Sequence, residues 1–181
     1  MYSLEQANQL LEYAAAVIKN SLDQSPYHTP DDPAFQEKRG IFVSLHKDGE
    51  LRGCIGYILP YKSIVDSVRE MALAAAFRDP RFPPLSIREF PAIRIEISIL
   101  SELQKVNNTT DIVIGRDGLN IDHPEGSGLL LPQVALEWKW DVATFLTHLC
   151  RKAGLPDGAY KELDAKLYRF GAEIFASNET R

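Results

Sequence analysis

Apolar residues recur three and four positions apart from Leu4 through Ala7, Leu11, Ala14, Val17 and Ile18, which predicts an opening helix. Ser3 followed by Gln6 has the form of a capping box at its start, and Pro26 bounds its end. Pro26, Pro30 and Pro33 make residues 24–37 a loop. The pattern then changes to strand-like runs, Ile41 to His46 and Leu51 to Ile58, joined by the strong turn signal Asp48-Gly49. Ser63 with Asp66 opens a second helix that carries Ile64, Val68, Met71, Ala72, Ala75 and Ala76 on one face. Residues 79–84 are extended, because each proline disfavours the helical region for the residue before it. Ser86 with Glu89 caps a short turn. Ile93, Ile95, Ile97 and Ile99 then alternate with Arg94, Glu96 and Ser98, the signature of a half-buried strand.

In the second half, Ile112 to Ile114 and Leu119 to Ile121 flank Arg116-Asp117-Gly118 and read as another hairpin. Gly126-Ser127-Gly128 reads as a flexible turn before the apolar run Leu129-Leu130-Leu131. Asp141 caps a helix through Ala153, which Gly154 and Pro156 end. Tyr168, Phe170, Ala172 and Ile174 share one face of a last strand. The pattern is α/β, a mostly antiparallel sheet with flanking helices. A single domain over 1–181 suits the length, with the loop at 101–111 as the candidate edge of a smaller unit.

Composition narrows the function classes. The chain is 45% hydrophobic and 25% charged, with net charge −5 and pI about 5.4. This acidic balance argues against a broad grip on nucleic acid or an anionic membrane. Lys62, Arg69, Arg78, Arg81 and Arg88 are the candidates for a local basic patch, so nucleic-acid binding ranks last. No apolar run approaches the roughly 18–20 residues that span a bilayer. The N-terminus has no basic n-region, so the expected location is cytoplasmic. The two cysteines, Cys54 and Cys150, form neither a disulfide framework nor a zinc motif. No phosphate-loop or dinucleotide fingerprint is present, and the sequence points to no particular cofactor.

The chemistry concentrates in Leu51-Arg52-Gly53-Cys54-Ile55-Gly56. On a regular strand Arg52 and Cys54 share a face, roughly 6–7 Å apart. An arginine there favours the thiolate, the reactive form of cysteine. Gly53 and Gly56 let another group approach the backbone. The hairpin register is open by one residue, so either Val43 and Leu45 or Phe42 and Ser44 face the thiol. Asp79 and Arg81 flank Pro80, either as a rigid turn or as a rim where Arg81 holds an anionic group. Gln133 either orients a ligand or satisfies buried backbone. His28, His46 and His123 read as solvated, and Cys150 as core beside His148. No motif sets a histidine next to Cys54, as covalent catalysis would need.

Four stretches together resemble the AMME chromosomal region candidate family, whose prokaryotic members are called AmmeMemoRadiSam system protein A. They are LRGCIG at 51–56, AFRDPRFPP at 76–84, LLLPQVA at 129–135, and Trp140-Asp141 with Phe145-Leu146 and CRKAGLP at 150–156. Tyr160 stands where many relatives are expected to carry tryptophan. The resemblance implies an α/β fold of a larger and a smaller unit with a cleft between them. It also implies an association with Memo-like and radical S-adenosylmethionine proteins, and it supplies no reaction.

Two function classes stand. One is an enzyme or enzyme-accessory subunit that uses the Cys54 thiolate, supported by Arg52, on a small anionic substrate. The other is a non-catalytic module that docks on the Memo-like or radical S-adenosylmethionine proteins. In the second, Gly53 and Gly56 admit the partner, and Cys54 is packing.

Overall fold

The structure, a computed structural model, describes residues 1–177. Helix α1 (Leu4–Asp23) starts at the expected capping box: the Ser3 hydroxyl accepts from Gln6 N–H, and the Gln6 side chain accepts from Ser3 N–H. Its buried stripe runs through Ala7, Leu10, Leu11, Ala14, Val17 and Ile18, whereas Leu4 lies in solvent. Strands β1 (Ile41–Lys47) and β2 (Glu50–Tyr57) form the expected hairpin. Asp48 and Gly49 both take positive φ, 52° and 81°, as a two-residue hairpin turn of the primed type requires. Ser63 accepts from Asp66 N–H and caps α2 (Ile64–Phe77).

Strand β3 (Ile93–Leu100) pairs antiparallel with β1, and the chain's last strand, β8 (Ala172–Ala176), joins the same sheet. The order is β2-β1-β3-β8, so the LRGCIG strand lies at an edge. Ile41, Val43, Leu45, Ile95, Ile97 and Ile99 form one core cluster with the buried faces of α1 and α2. Their strand neighbours Ser44, Glu96 and Ser98 therefore project to the opposite face of the sheet.

The chain divides into two compact units, one of residues 1–100 with the strand from Glu173 onward, the other Ser101–Ala172. The second unit holds a sheet in the order β4-β7-β5-β6, made of β4 (Gln104–Lys105), β5 (Gly118–His123), β6 (Gly126–Leu130) and β7 (Lys166–Phe170). Helices α3 (Pro132–Glu137) and α4 (Val142–Lys152) complete it. Its core gathers Leu119, Ile121, Phe145, Leu146, Leu149 and the fully buried Cys150.

Three sequence expectations change here. Residues 112–117 form turns instead of a hairpin arm, because the buried Asp117 carboxylate accepts from Val113 N–H at 2.9 Å and is gripped by Arg116. The hairpin is β5 with β6. Gly126 and Gly128 belong to a strand and not a flexible turn: a Cβ at either would collide with the Ala153 backbone at the end of α4. The last strand is two strands in different sheets. The break falls at Gly171, whose N–H bonds the Ser101 hydroxyl at 2.8 Å while its carbonyl accepts from Ser101 N–H.

Candidate functional site

Cys54 faces Ser44 across the β1–β2 ladder, which settles the open register. The backbone N–H and C=O of Cys54 point away from β1, toward the outer edge, so this is a pair without ladder bonds, the kind whose side chains come closest. The Ser44 hydroxyl accordingly donates to Cys54 Sγ at 3.1 Å. Ser44 is in turn the partner of Glu96 on β3. Thiol, hydroxyl and carboxylate thus form a row across three strands. Ser44 belongs to one of the two registers that the sequence leaves open, whereas Glu96 carries no sequence signal for a place beside the thiol. The alternation of β3 placed Glu96 opposite the isoleucines, but the row became visible only with the register.

The outer edge of β2 is closed by side chains. Asp79 Oδ2 accepts from Cys54 N–H at 2.9 Å, and Arg81 Nη2 donates to the Cys54 carbonyl at 3.2 Å. Arg81 also binds Asp79 in a two-pronged pair, Nε to Oδ1 at 3.0 Å and Nη2 to Oδ2 at 2.7 Å. Asp79 and Arg81 together offer Cys54 the acceptor and donor that a neighbouring strand would have offered. The Asp79 side chain is 1% exposed and its carboxyl is held far below the ordinary range, chiefly by the Arg81 hydrogen bonds. Arg81 itself is 53% exposed.

Arg52 does not support the thiol. The ladder slips between Leu45 and His46, leaving Arg52 as an extra residue without a partner on β1. Its guanidinium runs instead to Glu89, Nε to Oε1 at 3.2 Å, and to the Pro83 carbonyl at 2.9 Å. Lys47 shares that carboxylate. Arg52 hydrogen bonding holds Glu89 down at about 2. Both Arg52 and Arg81 lie over the Phe82 ring, 5.8 and 5.5 Å from its centre.

Burial pushes the Cys54 thiol up; the Ser44 hydroxyl and Arg81 pull it down, while Asp79 and Glu96 add to the rise. Burial, the largest influence, leaves the thiol raised, opposite in direction to the lowering that an adjacent arginine would give. The glycines are also occupied. A Cβ at Gly53 would fall on the Ala75 carbonyl of α2, and one at Gly56 on the Ile41 carbonyl and the Phe42 ring. Gln133 belongs to the second unit, on the first turn of α3, with Oε1 enclosed and, among the described residues, without a hydrogen-bond partner. Three members of the supposed basic patch are paired: Lys62 with Glu70, Arg69 with Asp66, and Arg81 with Asp79.

His28 is exposed as expected, whereas His46 and His123 depart from the solvated reading. The His123 side chain is 7% exposed and meets Glu162 at 3.2 Å. His46 is half-buried, and His148 stacks on Trp140 with ring centres 3.9 Å apart. No helix among the described residues is long and apolar enough to cross a membrane.

These features define a mixed α/β protein of two antiparallel sheets with flanking helices, whose LRGCIG strand is an edge closed by a proline-rich loop. The chain belongs to the AMMECR1 family, whose model matches residues 11–175. It is similar to Protein MJ0810 of Methanocaldococcus jannaschii, 45% identical over 100% of this chain and 94% of that protein. A protein of Methanothermobacter thermautotrophicus is 42% identical, with 96% of this chain and 95% of that one covered. The crystal structure of the uncharacterized protein PH0010 from Pyrococcus horikoshii aligns with TM-score 0.86 at 36% identity, covering 94% of this chain and 90% of that one.

Proposed function

We propose that this chain is a non-catalytic docking module, an accessory to a Memo-like or radical S-adenosylmethionine protein, with the loop at 80–84 as part of its contact surface. One observation carries the reading: around the LRGCIG strand, Asp79, Arg81 and Arg52 are engaged with other protein groups instead of with the thiol. Asp79 and Arg81 clasp the Cys54 backbone, Arg52 is bound to Glu89 and Pro83, and burial raises the thiol. A site so arranged braces a loop better than it activates a nucleophile. The loop it braces presents Pro80, Arg81, Pro83 and Pro84 to solvent, and Ile87 just beyond is 47% exposed. Rigid, exposed proline and arginine positions suit a partner surface because little entropy is lost on docking.

The test is co-purification of the full chain with each candidate partner at micromolar concentration. The complex should survive Cys54→Ala and be weakened at least tenfold by Ile87→Asp or Pro84→Asp. Absence of a complex with either partner removes the reading.

The Ser44 hydrogen bond to Sγ favours a second reading, a thiol enzyme acting on a small anionic substrate with Arg81, not Arg52, as the supporting cation. Iodoacetamide separates the two. Alkylation of Cys54 well below pH 8.5, slowed by Arg81→Ala, would restore the enzyme; reaction only at higher pH leaves the docking module.

A further inference from the structure

A separate grouping lies at the far end of the β1–β2 hairpin, outside every motif considered so far. His46 and Arg94 are direct cross-strand partners on β1 and β3, so their side chains stand next to each other on one face. Both line a cavity of about 280 Å³, together with Asp48 at the turn and the residues that lead into β3. Arg94 uses Nε on the Ser177 carbonyl at 3.2 Å, and among the described residues it has no carboxylate partner. Lys47, Arg81, Arg116 and Arg151 each hold an acidic side chain. Beside Arg94, the His46 Nε2 is enclosed and, among the described residues, has no hydrogen-bond partner. Buried polar atoms are nearly always paired, and an unpaired one asks for an explanation such as an absent ligand.

We propose that this cavity binds the oxyanion head of a small molecule, a phosphate or a carboxylate. The planar fork of Arg94 takes two oxygens, the geometry for which guanidinium is suited. The His46 imidazole, turning about its χ2 bond, supplies a further polar contact. Asp48 is exposed at the mouth and accepts from a hydroxyl or ammonium on the rest of the molecule. At about 280 Å³ the cavity lies at the lower edge of the range of about 300 to 1,000 Å³ for ligand pockets, which suits a small molecule.

The experiment titrates the full chain with sodium phosphate and, separately, with sodium acetate. Chloride holds the ionic strength constant so that general screening does not vary. The His46 imidazole resonances are followed by NMR. One saturable site with Kd of about 1–10 mM is expected for at least one anion. Phosphate alone saturating identifies a phosphate ligand, and acetate alone a carboxylate. Arg94→Gln and His46→Phe should each weaken binding at least tenfold while circular dichroism shows the fold retained, and Lys139→Gln should leave it unchanged. Absence of saturation with either anion up to about 50 mM overturns the proposal, as does undiminished binding in folded Arg94→Gln.

Discussion

Cys54 illustrates how residue-scale physics decides a role. Beside a cation a thiol ionises easily, but Cys54 lies largely out of water, and Glu96 and Asp79 oppose its charge. A raised thiol favours the folded state at pH values below the ordinary thiol range, and this contribution fades as pH rises through the folded value. The alkylation midpoint should therefore lie above that of a free cysteine and be unchanged in Arg52→Ala, a result read by mass spectrometry against pH. Gly53 has a different constraint. A methyl group there meets the Ala75 carbonyl, a backbone atom that cannot swing aside. Gly53→Ala should destabilise by about 1–3 kcal/mol, measured as a lowered urea midpoint at unchanged slope. Gly56→Ala meets another backbone carbonyl and is expected to behave likewise.

At the scale of elements, β2 is an edge whose outward groups at Cys54 are satisfied by side chains of the Asp79–Arg81 loop. Hydrogen bonds to Asp79 and Arg81 thus replace a fifth strand, and they block edge-to-edge association at that point. Asp79→Ala leaves the Cys54 N–H without its acceptor and Arg81 without its counter-ion. A loss of about 1–3 kcal/mol is expected. The distinguishing readout is hydrogen exchange: the Cys54 amide should exchange faster in Asp79→Ala, while amides of β5 in the second unit keep their rates. Equal acceleration everywhere would mean that the clasp only adds global stability.

Across the whole molecule, the acid limb of stability follows from the same contacts. Glu89 sits at about 2 in the folded chain against an ordinary 4.5, so it releases its proton more readily when folded. A depressed folded value contributes stability that is fully present above pH 4.5 and is lost as pH falls toward 2. Asp79 acts in the same direction and further down. Glu89→Gln should lower the melting temperature at pH 6, and the gap from the parent should close on acidification to about pH 2; a gap constant with pH would refute the linkage. Each unit has its own buried cluster, and Phe145→Ala, which empties a fully buried ring position in the second, should cost about 3–5 kcal/mol there.

Much of this was written locally in the chain. The capping box at Ser3, the Ser63 N-cap, the Asp48-Gly49 turn and the isoleucine alternation of β3 determined elements within a residue or two, because helix caps, turns and strand faces depend on neighbours a few positions away. The four motifs likewise sufficed to place the chain in its family. What depended on residues distant in sequence was decided by the tertiary structure. A one-residue bulge turned Arg52 from Cys54 to Glu89; pairing across strands brought Ser44 and Glu96 to the thiol; and close helix packing, not flexibility, required Gly53, Gly126 and Gly128. The LRGCIG string by itself determined that a small, tightly approached strand carries a thiol. Whether that thiol is charged depends on burial and on carboxylates supplied from 25 and 42 residues away, at Asp79 and Glu96, which no local pattern encodes.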